Sequence, residues 1–370
     1  MHEFRIGHAA GGDWRTLCRA VLAQLSPLPQ GANIGFVYVT DLLADALGDI
    51  ADELERQTGI GGWTGTVGLG ICATGREYFD EPALAAMVGA VADGGFAQFE
   101  VSQSGFALSE GRDGWLGYVE HPVGIVHCDP RNPHIPALVR KFAETLDGFM
   151  VGGLSSSRTS FAQVAGAPTE GGISGILFSE AVPVATGLTQ GCTPLGPVHQ
   201  VTAREDNVAI TLDERPALEV FVEDVGEEAA HDVESLSGTI FAALPVPGSD
   251  RADYLVRNLT GMDTERGLLG IGEILETGQT LMFCRRDPEA ALGDLTRMLR
   301  DLMARSGGPA KGAVYVSCLG RGPNTFGPDS AELKAIEREI GDVPLVGFFG
   351  NGEISHDRLY TYTGVLTLFL

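Results

Sequence analysis

Four short segments of this chain set thiols, hydroxyls or charge beside glycines. Cys72, Thr74 and Arg76 lie in Gly70-Ile71-Cys72-Ala73-Thr74-Gly75-Arg76, and Ser155, Ser156 and Arg158 in Gly152-Gly153-Leu154-Ser155-Ser156-Ser157-Arg158. Cys318 and Arg321 lie in Cys318-Leu319-Gly320-Arg321-Gly322, and Asn351 and Glu353 in Gly350-Asn351-Gly352-Glu353. Glycines let backbone approach a ligand closely, and a guanidinium offers two parallel donors that suit a carboxylate. Exposed amides and the hydroxyls of Thr74 and the serines extend such an anion clamp. Glu353 can receive an ammonium group, so clamp and acceptor together suit an amino acid. The same residues also have ordinary duties, capping helices or pairing with Asp and Glu.

Cys72 and Cys318 each have an arginine nearby, Arg76 and Arg321, and a positive neighbour favours thiolate. A thiol enzyme is therefore one reading. An unperturbed thiol is only a few per cent ionised at neutral pH, and cysteine is as often a small packing residue. No nucleophile, base and orienting group fall together, so the expectation is ligand binding without turnover and without catalytic residues. His199 sits between a turn and a strand, where it can serve as a base or ligate a haem iron, with His127 and His356 behind it. A lone histidine is more often a hydrogen-bonded structural residue. Side chains of His127-Cys128-Asp129 alternate faces on a strand and cannot converge on a metal, so neither a metal nor, outside the haem reading, a cofactor is expected. Gly68-Leu69-Gly70-Ile71-Cys72-Ala73 fails the dinucleotide fingerprint at its third glycine, and no Walker A lysine is present.

The elements that hold these segments occur three times as strand, amphipathic helix, strand and glycine-rich turn. The copies run from Gly35 to Arg76, from Val123 to Arg158 and from Gly312 to Glu353. Their helices carry Leu43, Leu47, Ile50 and Leu54; Ile135, Leu138, Val139, Phe142 and Leu146; and Leu333, Ile336 and Ile340 at helical spacing. Asp41 and Asp329 precede two of them, and Gly59, Gly148 and Gly341 follow. A further helix, from Pro288 to about Ser306, has Asp287 as its cap. Strand-like runs at 172–178, 182–188, 208–212, 255–259, 268–274 and 279–284 suggest antiparallel pairing between the second and third copies. An acidic stretch over 224–232 and a loop over 244–250 place a domain boundary between about 220 and 235. The expected fold is α/β: two tightly associated domains, 1–225 and 226–370, with mixed sheets built from repeated strand–helix–strand units and added antiparallel strands. The three glycine-rich turns are expected near one another.

Within 370 residues, 49 acidic against 25 basic side chains give a net charge of −24. No basic stripe exists to neutralise phosphates, so nucleic acid and anionic membrane surfaces are poor partners. The first residues lack a basic segment leading into an apolar run, no 18-residue apolar stretch follows, and six scattered cysteines form no C-x-x-C pair. These features fit reduced thiols in the cytoplasm.

The chain resembles the FIST family, two-part sensory proteins with a FIST N and a FIST C domain. The resemblance is carried by Gly70–Glu77, Gly187–Thr202, Cys318–Gly322 and Pro344–Ile354, in the family's order along nearly the whole chain. It implies a sensory role with a small ligand, amino acids having been proposed. Some relatives are haem-binding nitric oxide sensors acting on separate kinases, and others carry an F-box. No room for an F-box precedes the strand at Gly35 and no output region follows Leu370, so a signal is expected to leave through a partner in trans.

Overall fold

The computed structural model describes residues 3–102, 105–109, 111–112, 114–226, 238–246 and 253–370. The acidic stretch beyond Gly226 and the loop over 247–250 lie outside the described residues. The chain forms two compact units, one of residues 1–190 with 294–370 and one of residues 191–293.

The larger unit repeats one plan three times. The first copy runs β1 (Phe4–Ala10), α1 (Trp14–Leu25), β2 (Ile34–Thr40), a 3₁₀ turn (Asp41–Ala46), α2 (Leu47–Thr58), β3 (Trp63–Gly68), the hairpin β4 (Gly70–Ala73) and β5 (Arg76–Phe79), then β6 (Ala83–Gly89). The second runs β7 (Phe96–Ser102), β8 (Gly105–Leu108), β9 (Val123–Cys128), α3 (Ile135–Leu146), β10 (Phe149–Leu154), the hairpin β11 (Gln163–Ala165) and β12 (Ala167–Thr169), then β13 (Ile173–Phe178). The third opens with β14 (Val184–Thr189) and is interrupted by the smaller unit.

That smaller unit holds β15 (Cys192–Pro194), β16 (His199–Glu205), β17 (Val208–Leu212), β18 (Arg215–Pro216), α4 (Ala217–Val225), β19 (Ile240–Pro245), β20 (Tyr254–Asp263), β21 (Leu268–Ile271) and β22 (Thr280–Arg286). Pairing runs β16-β17-β21-β20-β19-β22 and returns from β22 to β16, which closes a six-stranded antiparallel barrel. Val201, Leu212, Phe221, Ala242, Leu269, Leu281 and Phe283 fill its core. Each of these six strands therefore has a partner on both sides. Helix α5 (Pro288–Arg305) follows; the Asp287 carboxylate accepts from the Glu289 and Ala290 amides, so the expected cap is in place. The third copy then resumes with β23 (Gly312–Cys318), α6 (Pro323–Phe326), α7 (Ala331–Ile340), β24 (Leu345–Gly350), the hairpin β25 (Glu353–His356) and β26 (Arg358–Tyr360), and β27 (Gly364–Phe369). Helix α7 starts one residue later than Asp329 suggests, with Ser330 as its N-cap.

The three sheets share one strand order: β12-β11-β3-β2-β6-β1, then β26-β25-β10-β9-β13-β7 with β8 added at the edge, and β5-β4-β24-β23-β27-β14. In each, the parallel pair of one copy (β2 with β3, β9 with β10, β23 with β24) lies at the centre. The hairpin that follows leaves its own sheet. The first copy's hairpin adds to the third sheet, the third's to the second and the second's to the first. This cyclic exchange gives the unit a threefold plan, and Phe36, Tyr38, Ile71, Ile125, Val151, Val316, Val346 and Phe348 from all three copies form one buried core.

A close approach fixes one position of the parallel pair. A Cβ on Gly347 would stand 1.7 Å from the Tyr315 carbonyl oxygen, and on Gly65, at the same place in the first copy, 1.6 Å from that of Val37. Backbone cannot yield as a flexible side chain does. Gly347→Ala should therefore lower stability by about 3 kcal/mol or more, read as a fall in the urea midpoint; an unchanged midpoint would show that the strands separate freely.

Candidate functional site

The glycine-rich turns meet where the strands change sheets. Ser156 Oγ donates to the Phe349 carbonyl at 2.5 Å and accepts from the Leu69 amide at 2.8 Å, joining all three copies. Asn351 Nδ2 donates to the Ser155 carbonyl at 3.2 Å, and the Ser155 hydroxyl bonds that of Thr66 at 2.7 Å. These polar groups are spent on one another, so they knit the turns. Thr74 Oγ1 has the same duty at the β4–β24 junction, donating to the Val343 carbonyl and accepting from the Leu345 amide, both at 2.9 Å. Cys72 is fully buried opposite Gly347, and burial, then the Glu77 and Glu332 charges, push its thiol well up.

The arginines part company. Arg76 is exposed, with its guanidinium 5.6 Å from the Tyr78 ring centre. Arg158 pairs with Asp41 at 3.3 Å and with Asp80. Neither stands in a shared anion clamp.

Cys318, Arg321 and Glu353 do come together, at the carboxyl end of the β23–β24 pair, which is where ligands bind in open α/β sheets. All seven residues of β23 are buried, as is the inner face of α7, and of the turn between them Arg321, Gly322, Thr325 and Ser330 are buried while Pro323, Asn324, Pro328 and Asp329 are exposed. Arg321 is 2% exposed. Its Nε donates to Glu332 Oε1 at 2.8 Å and its guanidinium lies 4.9 Å from the Phe326 ring centre, yet Nη1 and Nη2 have no partner. Burial works against its charge and the adjacent Glu332 carboxylate more than restores it.

Glu332 also accepts from Tyr315 Oη at 2.7 Å, Ser317 Oγ at 3.1 Å and the Gly322 amide at 2.9 Å. Glu77 accepts from the Leu333 amide at 3.3 Å, while its Oε2 is unpartnered. Burial, then the charge of Glu332, push its carboxyl up to about 7. Glu353, with no exposed surface, takes two donors on Oε2, the Thr363 amide at 3.1 Å and hydroxyl at 2.8 Å, and none on Oε1. Burial pushes it up to about 8 against the pull of Thr363 and Arg321. The Cys318 thiol lies against Glu353, and burial and that carboxyl push it up, away from a ready nucleophile.

The threefold plan makes this corner stand out. Strand register sets Thr40, Cys128 and Cys318 at equivalent positions, opposite Gly68, Leu154 and Gly350. After Thr40, Asp41 pairs with Arg158; after Cys128, Asp129 pairs with Arg131 at 2.6 Å. Both arginine side chains are about half exposed and reach water, whereas Arg321 is enclosed with two donors unspent.

The histidines are placed differently. His199 Nδ1 bonds Asp213 at 2.6 Å and Nε2 bonds Asp224 at 2.9 Å, so ligation of an iron would require giving up one carboxylate. Burial lowers its pKa and the two carboxylates outweigh that, leaving it raised. His127 is enclosed in the core with Nε2 3.1 Å from Tyr38 Oη and Nδ1 unpartnered, and burial pushes it down to about 3. His356 is exposed and stacks on Phe149 at 5.2 Å.

Glu332, Glu77 and Tyr315 were not singled out from the sequence. Glu332 sits in a helix first turn, where a glutamate ordinarily faces water, and Glu77 needs the exchanged hairpin to reach it. A Ser330 cap followed by Glu332, close behind Arg321, was the available signal.

Residues 33–215 match the FIST N domain and residues 217–356 the FIST C domain. The chain belongs to the FIST family. It is 30% identical over 349 residues to an uncharacterized protein of Mycobacterium tuberculosis, covering 90% of this chain and 88% of that one. An uncharacterized protein of Mycobacterium bovis is 32% identical over 194 residues, 50% of each chain. FIST domains are associated with sensory and signal-transduction proteins. No helix among the described residues is long and apolar enough to cross a membrane.

Proposed function

We propose that this is a cytoplasmic sensory protein that binds a small ligand, an amino acid or a small carboxylate, between Arg321 and Glu353, and passes the signal to a separate partner protein. The supporting observation is the pair of unspent Nη donors on an enclosed arginine beside an enclosed glutamate with one unspent oxygen. Leaving such groups buried and unpaired is costly, and a ligand that met them would recover that cost. The family's association with sensing agrees with binding in preference to turnover, and the raised thiols of Cys72 and Cys318 work against a thiol nucleophile.

A ligand that binds only the native state at a hundredfold excess over its Kd should add about 2.7 kcal/mol of stability. A thermal-unfolding screen against amino acids and small carboxylates should therefore return a rise of several degrees. Arg321→Lys, which keeps the charge and loses the forked donors, should shrink that rise. No shift across the panel would remove this reading.

A further inference from the structure

We infer that the ligand of this site is a small carboxylate anion, held by Arg321 Nη1 and Nη2 together with a hydroxyl donor on Oε1 of Glu353, and that an amino acid's ammonium group finds no acceptor there. The inference rests on the Arg321–Glu353 site proposed above.

Charge counting comes first. The enclosed cluster sets two carboxyl groups, Glu332 and Glu353, beside one guanidinium, Arg321, while the third, Glu77, lies beside Glu332 and feels Lys334 as its cation. Glu332 takes the partner's role, with Arg321 Nε, Tyr315 Oη, Ser317 Oγ and the Gly322 amide all donating to it. A second ionised carboxyl would be a buried charge without a counterion, which costs several kcal/mol. Glu353 therefore keeps its proton. The other titratable groups beside it are the Cys318 thiol, on β23, and its cross-strand partner Tyr360, on β26; neither supplies a positive charge.

Geometry then fixes where that proton is. Thr363 donates to Oε2 twice, through its amide and its hydroxyl, so Oε2 is already an acceptor and the proton belongs on Oε1. Oε1 is the atom without a partner. Every unspent group that Arg321 and Glu353 offer is thus a donor: the N–H groups on the two Nη atoms and one O–H. Such a set matches a ligand with acceptors alone at that end, and a carboxylate accepts on both oxygens.

A cover is built into the turn. Helix α6 is four residues long, Gly322 and Gly327 bracket it with φ of 51° and 89°, and its Phe326 ring lies over the guanidinium. Lifting this segment would open a path to Arg321.

The probes are sodium propionate and disodium succinate against L-alanine and L-aspartate, with Kd measured by calorimetry from pH 6 to 9. A carboxylate needs the protonated Glu353, so its Kd should be flat to about pH 8 and then weaken about tenfold per pH unit. Glu353→Gln, whose amide also donates, should still bind propionate or succinate and lose the break above pH 8. Amino acids binding more tightly than the carboxylates, with Kd improving about tenfold per unit from pH 6 to 8, would overturn the carboxylate assignment and leave the proposed site standing. Binding of neither class would overturn both.

Discussion

Glu332→Ala should lower the unfolding free energy by about 3–5 kcal/mol, the cost of removing one partner of a buried ion pair. The substitution leaves Arg321, 2% exposed, with no carboxylate, and strips the acceptor from Tyr315, Ser317 and the Gly322 amide in one step. Against a typical total of 5–15 kcal/mol, that is a large share. All three tryptophans, Trp14, Trp63 and Trp115, belong to the larger unit, so intrinsic fluorescence in urea follows the unit that contains Glu332. Because the chain has two compact units, an unfolding curve of the whole protein is not guaranteed to be a single transition, and this local probe avoids that mixing. Glu332→Ala with Arg321→Met, which replaces the pair by apolar groups, should recover much of the loss. A fall of under about 1 kcal/mol for the single variant would match a solvent-exposed pair and refute the buried one.

Much of this architecture is written locally. The three parallel pairs follow from apolar strands joined by one-sided helices, and Gly59 and Asp287 mark helix ends as their chemistry dictates. What local pattern cannot carry is the destination of a hairpin. Gly70–Phe79 reads as an extension of the first copy, yet β4 pairs with β24, more than 270 residues away. The same limit hid Glu77, which reaches α7 only through that exchange. Cys318, Arg321 and Glu353 meet because the parallel β23–β24 pair of one copy returns the chain to the same end of the sheet, which the strand–helix–strand pattern implies. The placement of Arg76 and Arg158 was not, since an arginine's long side chain finds whichever carboxylate the fold brings near, here Asp41 and Asp80 for Arg158. Burial decided His199 as well: nothing around Gly196-Pro197-Val198 announces that Asp213 and Asp224 will occupy both ring nitrogens.

The larger unit should be more stable at pH 6 than at pH 8 by about 2–3 kcal/mol. Glu353 is held up to about 8 and Glu77 to about 7, both above the ordinary glutamate value that the unfolded chain restores. A carboxyl raised on folding binds more protons in the native state, so its contribution is full at low pH and is lost as pH climbs through the folded value. Between pH 6 and 8 the two together remove between about 3 and 4 kcal/mol. His127, pushed down to about 3, acts in the opposite sense, because the unfolded chain protonates it near pH 6; it returns about 1 kcal/mol over the same range. His8, also lowered by burial and by Arg76, adds to that return in a smaller, half-exposed setting. His199 lies in the smaller unit, which carries no tryptophan, so its titration does not enter the fluorescence signal. Glu353→Gln keeps the shape of the side chain and does not titrate, so the variant should lose more than half of the slope, and adding Glu77→Gln should reverse its sign, leaving the opposing histidine contribution of about 1 kcal/mol. Urea midpoints at the two pH values test this. A larger unit that gained stability from pH 6 to 8, or a Glu353→Gln slope equal to that of the parent, would mean that Glu353 is ionised in the folded protein and that the cluster carries a second negative charge.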